Sequence, residues 1–328
     1  MNAQTESNSA DANKGEFFRK YGTVLAAVVI FIVFSIAAPR FLTSKNMFML
    51  LRQMSILTII SLGFTFVMAA GGFDMSIGYS IGLVSIIFAI VMIGTGSLLL
   101  GCLAALIVGL LVGSLNGFLI AYIGLPDFIG SFAVGSILYG LKMLITRGNP
   151  IYFDDNVSKV FVFLGQGFVG PIPFPVILMV VYAVLTAFVL GKTPFGRRIY
   201  AIGGNSLAAL YAGIKIKRYR FSTFIISGFS IAFSSVIMTS RIASAQPLGG
   251  EEYLMDAISS VYLSTTMFGE GEPTAKGTFI GAFIITMLTN GLTMLNVPYY
   301  FQYITKGVVV ILAVLISVTY GQKMRVKF

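Results

Sequence analysis

An ionisable side chain inside an otherwise apolar chain is the first place to look for chemistry. Asp74 sits in Gly71-Gly72-Phe73-Asp74-Met75-Ser76-Ile77-Gly78, a polar, glycine-rich break between two apolar runs. A carboxylate near membrane depth is costly, so it normally faces a bundle interior or a polar cavity and often serves function. The same residue can instead cap a helix starting near Ser76 by accepting from its first amides. The two readings are compatible, because a capped half-helix end can line a solute path. Asp127 is a second carboxyl that a membrane-embedded enzyme could use as an acid or metal ligand. Little other catalytic vocabulary is present. The chain has no histidine, which removes Ser-His and Cys-His catalysis and the commonest zinc ligand. Its one cysteine, Cys102, lies in an apolar segment and provides neither a disulfide framework nor a cysteine metal site within one chain. Gly191-Lys192-Thr193 resembles the end of a phosphate-binding loop, but Thr186 stands where that motif needs a glycine. No nucleotide site or cofactor is therefore expected in this chain, and energy from ATP must come from a partner.

These residues are carried by elements that belong in a membrane. Of 328 residues, 57% are apolar and 10% charged, against roughly 45–50% and 25% in soluble domains. Apolar runs of the roughly 20 residues needed to cross a bilayer recur throughout. They predict an all-α polytopic membrane protein with about ten transmembrane helices, near 21–38, 47–70, 77–93, 98–122, 128–146, 173–190, 221–241, 255–269, 276–295 and 299–320. Residues 1–20 read as a disordered cytoplasmic tail, 21–320 as one membrane domain, and 321–328 as a basic cytoplasmic C-terminus. The run 21–38 follows a polar leader and reads as an uncleaved first helix rather than a secretory signal.

The net charge of +10 is concentrated in short segments, which suits membrane orientation better than a nucleic-acid face. Between 191 and 220, Lys192, Arg197, Arg198, Lys215, Lys217, Arg218 and Arg220 occur without an acidic residue, which predicts a cytoplasmic loop. Lys323, Arg325 and Lys327 predict the same side for the C-terminus, and an even span count puts both termini inside.

Gly72, Gly78 and Gly82 are spaced like Gly271, Gly277 and Gly281, 199 positions later. Glycine-interrupted segments in corresponding halves mark the solute path in many transporters, although two glycine-rich apolar stretches can also match by chance. Counting ten full spans makes this repeat parallel; an inverted one requires a re-entrant segment. The candidate path or gate residues are thus Gly72, Asp74, Ser76, Gly78, Gly271, Gly277 and Gly281. In the basic loop, Asn205 or Ser206 can cap a short helix through Ala208, Ala209 and Leu210, and such a small-sided helix can dock in a partner's groove. The alternative is a basic loop held against anionic lipid.

At these residues the sequence resembles the permease subunits of ribose-type ABC sugar importers. Gly71 to Gly78 is similar to the family's Gly-Ile-Asp-Leu-Ser-Val-Gly element. Phe195 to Gly213 resembles its Phe-Gly-Arg, Ala-Ile-Gly-Gly-Asn and Ala-Gly-Ile sequence, and Ala243 to Pro247 with Asp256-Ala257-Ile258 resembles a third signature. The resemblance covers nearly all of the chain after residue 20. It implies a bacterial inner-membrane permease that pairs with a second copy or a paralogue. It also implies a cytoplasmic ABC ATPase carrying ATP and magnesium, and a periplasmic or lipid-anchored solute-binding protein. The coupling loop would comprise Gly196, Arg197, Gly203, Gly204, Asn205, Ala208, Ala209 and Gly213. Where the family is usually glycine-rich after Asp-Ala-Ile, this chain has Ser264, Thr265, Glu270 and Pro273, so no particular sugar is implied. An ion-coupled transporter, or a permease for nucleosides or branched-chain amino acids, stays open as an alternative.

Overall fold

The computed structural model describes residue 23 and residues 25–154, 157–267, 271–309 and 311–312. The predicted tail 1–20, the basic C-terminus 321–328 and Glu270 lie outside the described residues.

Thirteen helices carry the described fold. They are α1 Leu25–Ala37, α2 Ser44–Ala69, α3 Ile77–Thr95, α4 Leu98–Gly117, α5 Asp127–Thr146, α6 Lys159–Gln166 and α7 Phe174–Lys192. Then follow α8 Pro194–Gly204, α9 Ser206–Tyr211, α10 Ile216–Ile242, α11 Glu252–Thr266, α12 Ala275–Met294 and α13 at 299–309. A π-helical turn, Phe118–Ile123, prolongs α4 to the left-handed Gly124. The strands make two short antiparallel ribbons: β1 (Ile151–Tyr152) with β4 (Ser244–Ala245), and β2 (Phe168–Val169) with β3 (Ile172–Pro173).

The membrane-spanning, all-α prediction holds. Among the described residues seven helices are long and apolar enough to cross: α2, α3, α4 with its π turn, α5, α7, α10 and α12; the predicted spans near 21–38 and 299–320 extend beyond the described residues. The predicted span at 255–269 is the 15-residue α11. At 1.5 Å per residue it covers about 22 Å, short of the roughly 30 Å hydrocarbon core.

Contacts order the helix ends. The C-terminus of α2 meets α8 in the basic segment, where Gly203 lies against the Ala69 carbonyl. Its other end meets 166–168, through Arg52 on the Gln166 carbonyl and Phe48 on Phe168. The long helix α10 begins at the basic end and finishes beside Gln166, which donates to the Ser240 and Arg241 carbonyls. It therefore runs antiparallel to α2. From β4 the chain turns back into the bundle along α3, with Pro247 against Gly82 and Gly250 against Gly78 and Ile81. There α11 starts, and it continues to the basic end. The segment from β4 through α11 thus crosses the bundle, part extended and part helical, and because α10 runs antiparallel to α2 the repeat is inverted with no re-entrant segment: α2, α3, α4 and α5 correspond to α10, α11, α12 and α13.

The correspondence lies 172 to 177 positions along the chain, counting from helix starts; the 199-position glycine match is overturned. Gly78 and Gly82 pack on the 247–251 segment, whereas Gly277 and Gly281 pack on Ser264 and Ser260 of α11. The glycines share spacing because close helix contacts recur at helical intervals, not because their surroundings correspond.

Candidate functional site

The break after α2 is held by a buried polar cluster. Gly71 takes a φ of 70°, turning the chain out of α2 at a conformation that suits glycine. Asp74 is buried; its Oδ1 accepts from the Ser76 amide at 2.9 Å and the Ser76 hydroxyl at 2.6 Å. This local carboxylate turn precedes α3, whose N-cap is Ser76 with no side-chain cap bond, so Asp74 braces the N-cap residue rather than pairing with the helix's first amides as the capping reading expected. The Asn116 amide nitrogen donates to Ser76 Oγ at 2.7 Å, and Ser227 Oγ approaches Asp74 Oδ2 at 3.5 Å. Helices α4 and α10 thereby fix the break from both sides.

A second layer lies nearer the basic end. Asp127, the first residue of α5, accepts from the Phe73 amide at 3.0 Å and from Arg220 at 2.6 Å, and Ser131 accepts from the Met75 amide at 2.9 Å. Gly72 leaves space for this carboxylate, since a Cβ there would stand 3.0 Å from Asp127 Oδ2. Sequence reasoning isolated Asp74 but missed Asn116, Ser131 and Ser227 as its neighbours. Polar residues within apolar runs were the available signal.

The other predicted path residues lie apart from this cluster. Gly271 turns the chain before α12 with a φ of 68°. A Cβ on Gly277 would fall 2.5 Å from Ser264 Oγ, and one on Gly281 would fall 2.2 Å from the Ser260 carbonyl oxygen. Both allow α11 and α12 to touch along their backbones.

The basic segment folds into two short helices. Thr193 caps α8 by accepting from the Gly196 amide at 3.3 Å, and Asn205 caps α9 from the Ala208 amide at 3.0 Å, as its position predicts. Gly213 ends the pair with a φ of 77°. Gly196 packs on the Leu190 carbonyl and Gly203 on that of Ala69, while Gly204 faces open space. Ala209 points inward; Ala208, Leu207, Leu210 and Tyr211 are exposed, Tyr211 by 88%. Arg197 lines a groove of about 460 Å³ with Tyr200, Glu272 and Lys276. Among the described residues no three His, Cys, Asp or Glu side chains gather as a metal site.

Residues 46–315 match the family model described as the branched-chain amino acid transport system / permease component. The chain belongs to that family. It is 39% identical to the ribose import permease protein RbsC of Bacillus subtilis, over 91% of this chain and 92% of the relative. Against the protein of that name from Haemophilus influenzae, identity is 34% over 94% of this chain and 96% of the relative. With the D-allose transport system permease protein AlsC of Escherichia coli it is 33%, over 91% of each. No solved structure gives a significant match. Family membership makes the chain a transport component rather than an enzyme, and the ABC-permease resemblance read from its motifs holds along nearly its full length.

Proposed function

We propose that this chain is the membrane-spanning subunit of an ATP-driven importer that carries a sugar by alternating access. The observation that carries this reading is the end-to-end match to ribose and allose permeases. The exposed apolar side of α9, stiffened by the Asn205 cap, supports docking to a cytoplasmic ATPase that binds ATP and magnesium. Asp74 and Ser76 shape the path or its gate. A second copy or paralogue completes the channel, and a solute-binding protein delivers the sugar at the end opposite the basic segment. The basic end faces the cytoplasm of a bacterial cell, following the asymmetry of Lys and Arg.

Force reaches the bundle at two places. Gly203 rests on the carbonyl of Ala69 at the end of α2, and the Tyr200 hydroxyl donates to the Pro273 carbonyl at 2.7 Å before α12. ATP shifts the conformational equilibrium only through different affinity for the two states, so docking must differ between them. These contacts carry that difference into both halves.

Two measurements test the reading. The chain, co-expressed with candidate ATPase and binding-protein partners, is assayed for uptake of ribose, allose, arabinose and leucine. Sugar uptake that requires ATP supports the proposal; leucine uptake alone replaces it with the amino acid reading that the family description favours. Co-purification with the ATPase is then compared for wild type, Gly204→Arg and Ala208→Glu. Both sites are exposed, so the membrane fold persists while the docking surface changes. Loss of the complex in both variants is expected, and full binding in both overturns the α9 assignment.

A further inference from the structure

Among the described residues three ion pairs join helices of the bundle, and two of them cross between the halves of the repeat. Both are on α5. Its first residue, Asp127, meets Arg220 of α10 at 2.6 Å, and Lys142 meets Glu251, just before α11, at 2.9 Å. Along α5 the two anchoring positions stand about 22 Å apart at 1.5 Å per residue. The third pair, Lys306 with Asp256 at 2.8 Å, links α13 to α11 within the second half.

Each crossing pair is tied to one of the two helix breaks. At the basic end, Asp127 also takes the Phe73 amide and Ser131 takes that of Met75, so the pair holds the 70–76 segment. Toward the other end, Glu251 lies against Gly78 and the Lys142 side chain against Gly82, so that pair holds the extended segment before α11 on α3. The charge order is reversed: α5 supplies the acid at one end and the base at the other. Lys142 is fully buried between the rings of Tyr79 and Tyr139, 5.4 and 5.1 Å from its Nζ, whereas Glu251 is 37% exposed. The Glu251 carboxylate can thus turn outward from this chain while the aromatic faces retain the ammonium. Arg220 and Asp127 are 24% and 20% exposed, so that pair too is only partly enclosed by this chain.

We propose that Asp127–Arg220 and Lys142–Glu251 are two latches of the transport cycle, parting in alternation so that α5 pivots on one while the other opens. The inference rests on the transport reading above. A helix tethered to the opposite half at both ends cannot move relative to it, and one released at both ends cannot transmit its motion. Alternation is the arrangement that satisfies both demands of a rocking mechanism. With both latches formed, this structure is closed at both ends of α5.

The test uses the full chain with its ATPase and binding protein, in a Cys102→Ser background. Cysteines replace Asp127 and Arg220, or Lys142 and Glu251, and each pair is bridged by a bifunctional methanethiosulfonate reagent, because such ion pairs outreach the roughly 6 Å between α-carbons typical of a disulfide. Uptake of ribose, allose and arabinose is measured before bridging, after it, and after reduction. Loss of uptake on bridging either pair, with recovery on reduction, is the expected result. Unchanged uptake in a fully bridged protein overturns the latch while leaving the transport reading intact, because a pair that only braces the fold tolerates the bridge. Lack of ATP-dependent sugar uptake in the unmodified chain refutes the transport reading itself. Should the cysteine forms not assemble, the exchanges Asp127→Arg with Arg220→Asp and Lys142→Glu with Glu251→Lys serve instead. They are expected to regain uptake lost in the single reversals, and no regain in a folded exchange overturns the pairing.

Discussion

The inverted repeat gives the molecule two equivalent crossings, α4 on α10 and α12 on α2, and they use opposite chemistry. Where α4 meets α10, a Cβ on Gly109 would stand 2.5 Å from the Gly228 carbonyl oxygen, and one on Gly228 would stand 2.2 Å from that of Gly109. Gly113 lies equally close to Phe224. Where α12 meets α2, the side-chain amides of Asn46 and Asn290 exchange two hydrogen bonds of 2.9 Å, and the hydroxyls of Thr65 and Thr278 meet at 2.8 Å. Between those contacts the hydroxyls of Thr58, Ser61 and Thr286 are buried without a side-chain partner. Backbone against backbone admits one separation. A seam with spare hydroxyls can pair in more than one register, so the first crossing is the fixed one and the second the adaptable one.

The largest break in this contrast is expected from Gly228→Val, which forces carbon into the Gly109 backbone and costs about 3 kcal/mol or more. Thermal unfolding in detergent should show a markedly lower midpoint; a wild-type midpoint would remove the fixed crossing. Next is Asn290→Leu, which leaves Asn46 Oδ1 without its donor while Nδ2 keeps the Phe41 carbonyl, and costs about 1–2 kcal/mol. The double variant Asn46→Leu with Asn290→Leu should recover part of that loss, and a purely additive result would show that the two amides do not act as a pair. Thr278→Val should cost about 0.6 kcal/mol, the average for an interhelical hydrogen bond in a membrane. Smallest of all, Thr286→Val should stay within about 0.5 kcal/mol of wild type, because its hydroxyl holds no partner to lose. A large loss there would mean that the seam is already fully paired, contrary to its adaptable role.

Spans were legible because about twenty apolar residues in sequence have few alternatives to crossing a bilayer. The cap at Asn205 was legible too, since it depends only on neighbours in sequence. The repeat was not. A glycine match at 199 positions outweighed the correspondence that the fold uses, in which Asn116-Gly117 and Asn290-Gly291 lie 174 positions apart and Pro126 and Pro298 lie 172 apart. Glycine is too common here to carry register, with 36 in the chain. An Asn-Gly step inside an apolar run is rare enough to do so. Orientation failed with it: a shift of 199 positions pairs the stretches 47–70 and 77–93 with 255–269 and 276–295, which run in the same sense, whereas the true partner of α2 is α10, which runs antiparallel to it. Ser227, which reaches Asp74, lies 153 positions from it, and Asn116, which holds Ser76, lies 40 positions from that residue; spacing has no means of choosing them from the many polar residues in the other helices.

The two supports beneath α8 have a consequence for assembly. The first, Gly203 on Ala69, joins residues that are both made before α10 exists. The second, Tyr200 on Pro273, waits for α10 and α11 to be threaded and for the segment before α12 to arrive. Ribosomal synthesis therefore leaves the platform standing on one foot until the later part of the chain is in place. A partner that recognises the finished platform would read off, by that hydroxyl alone, whether insertion of the second half had progressed far enough to be worth engaging.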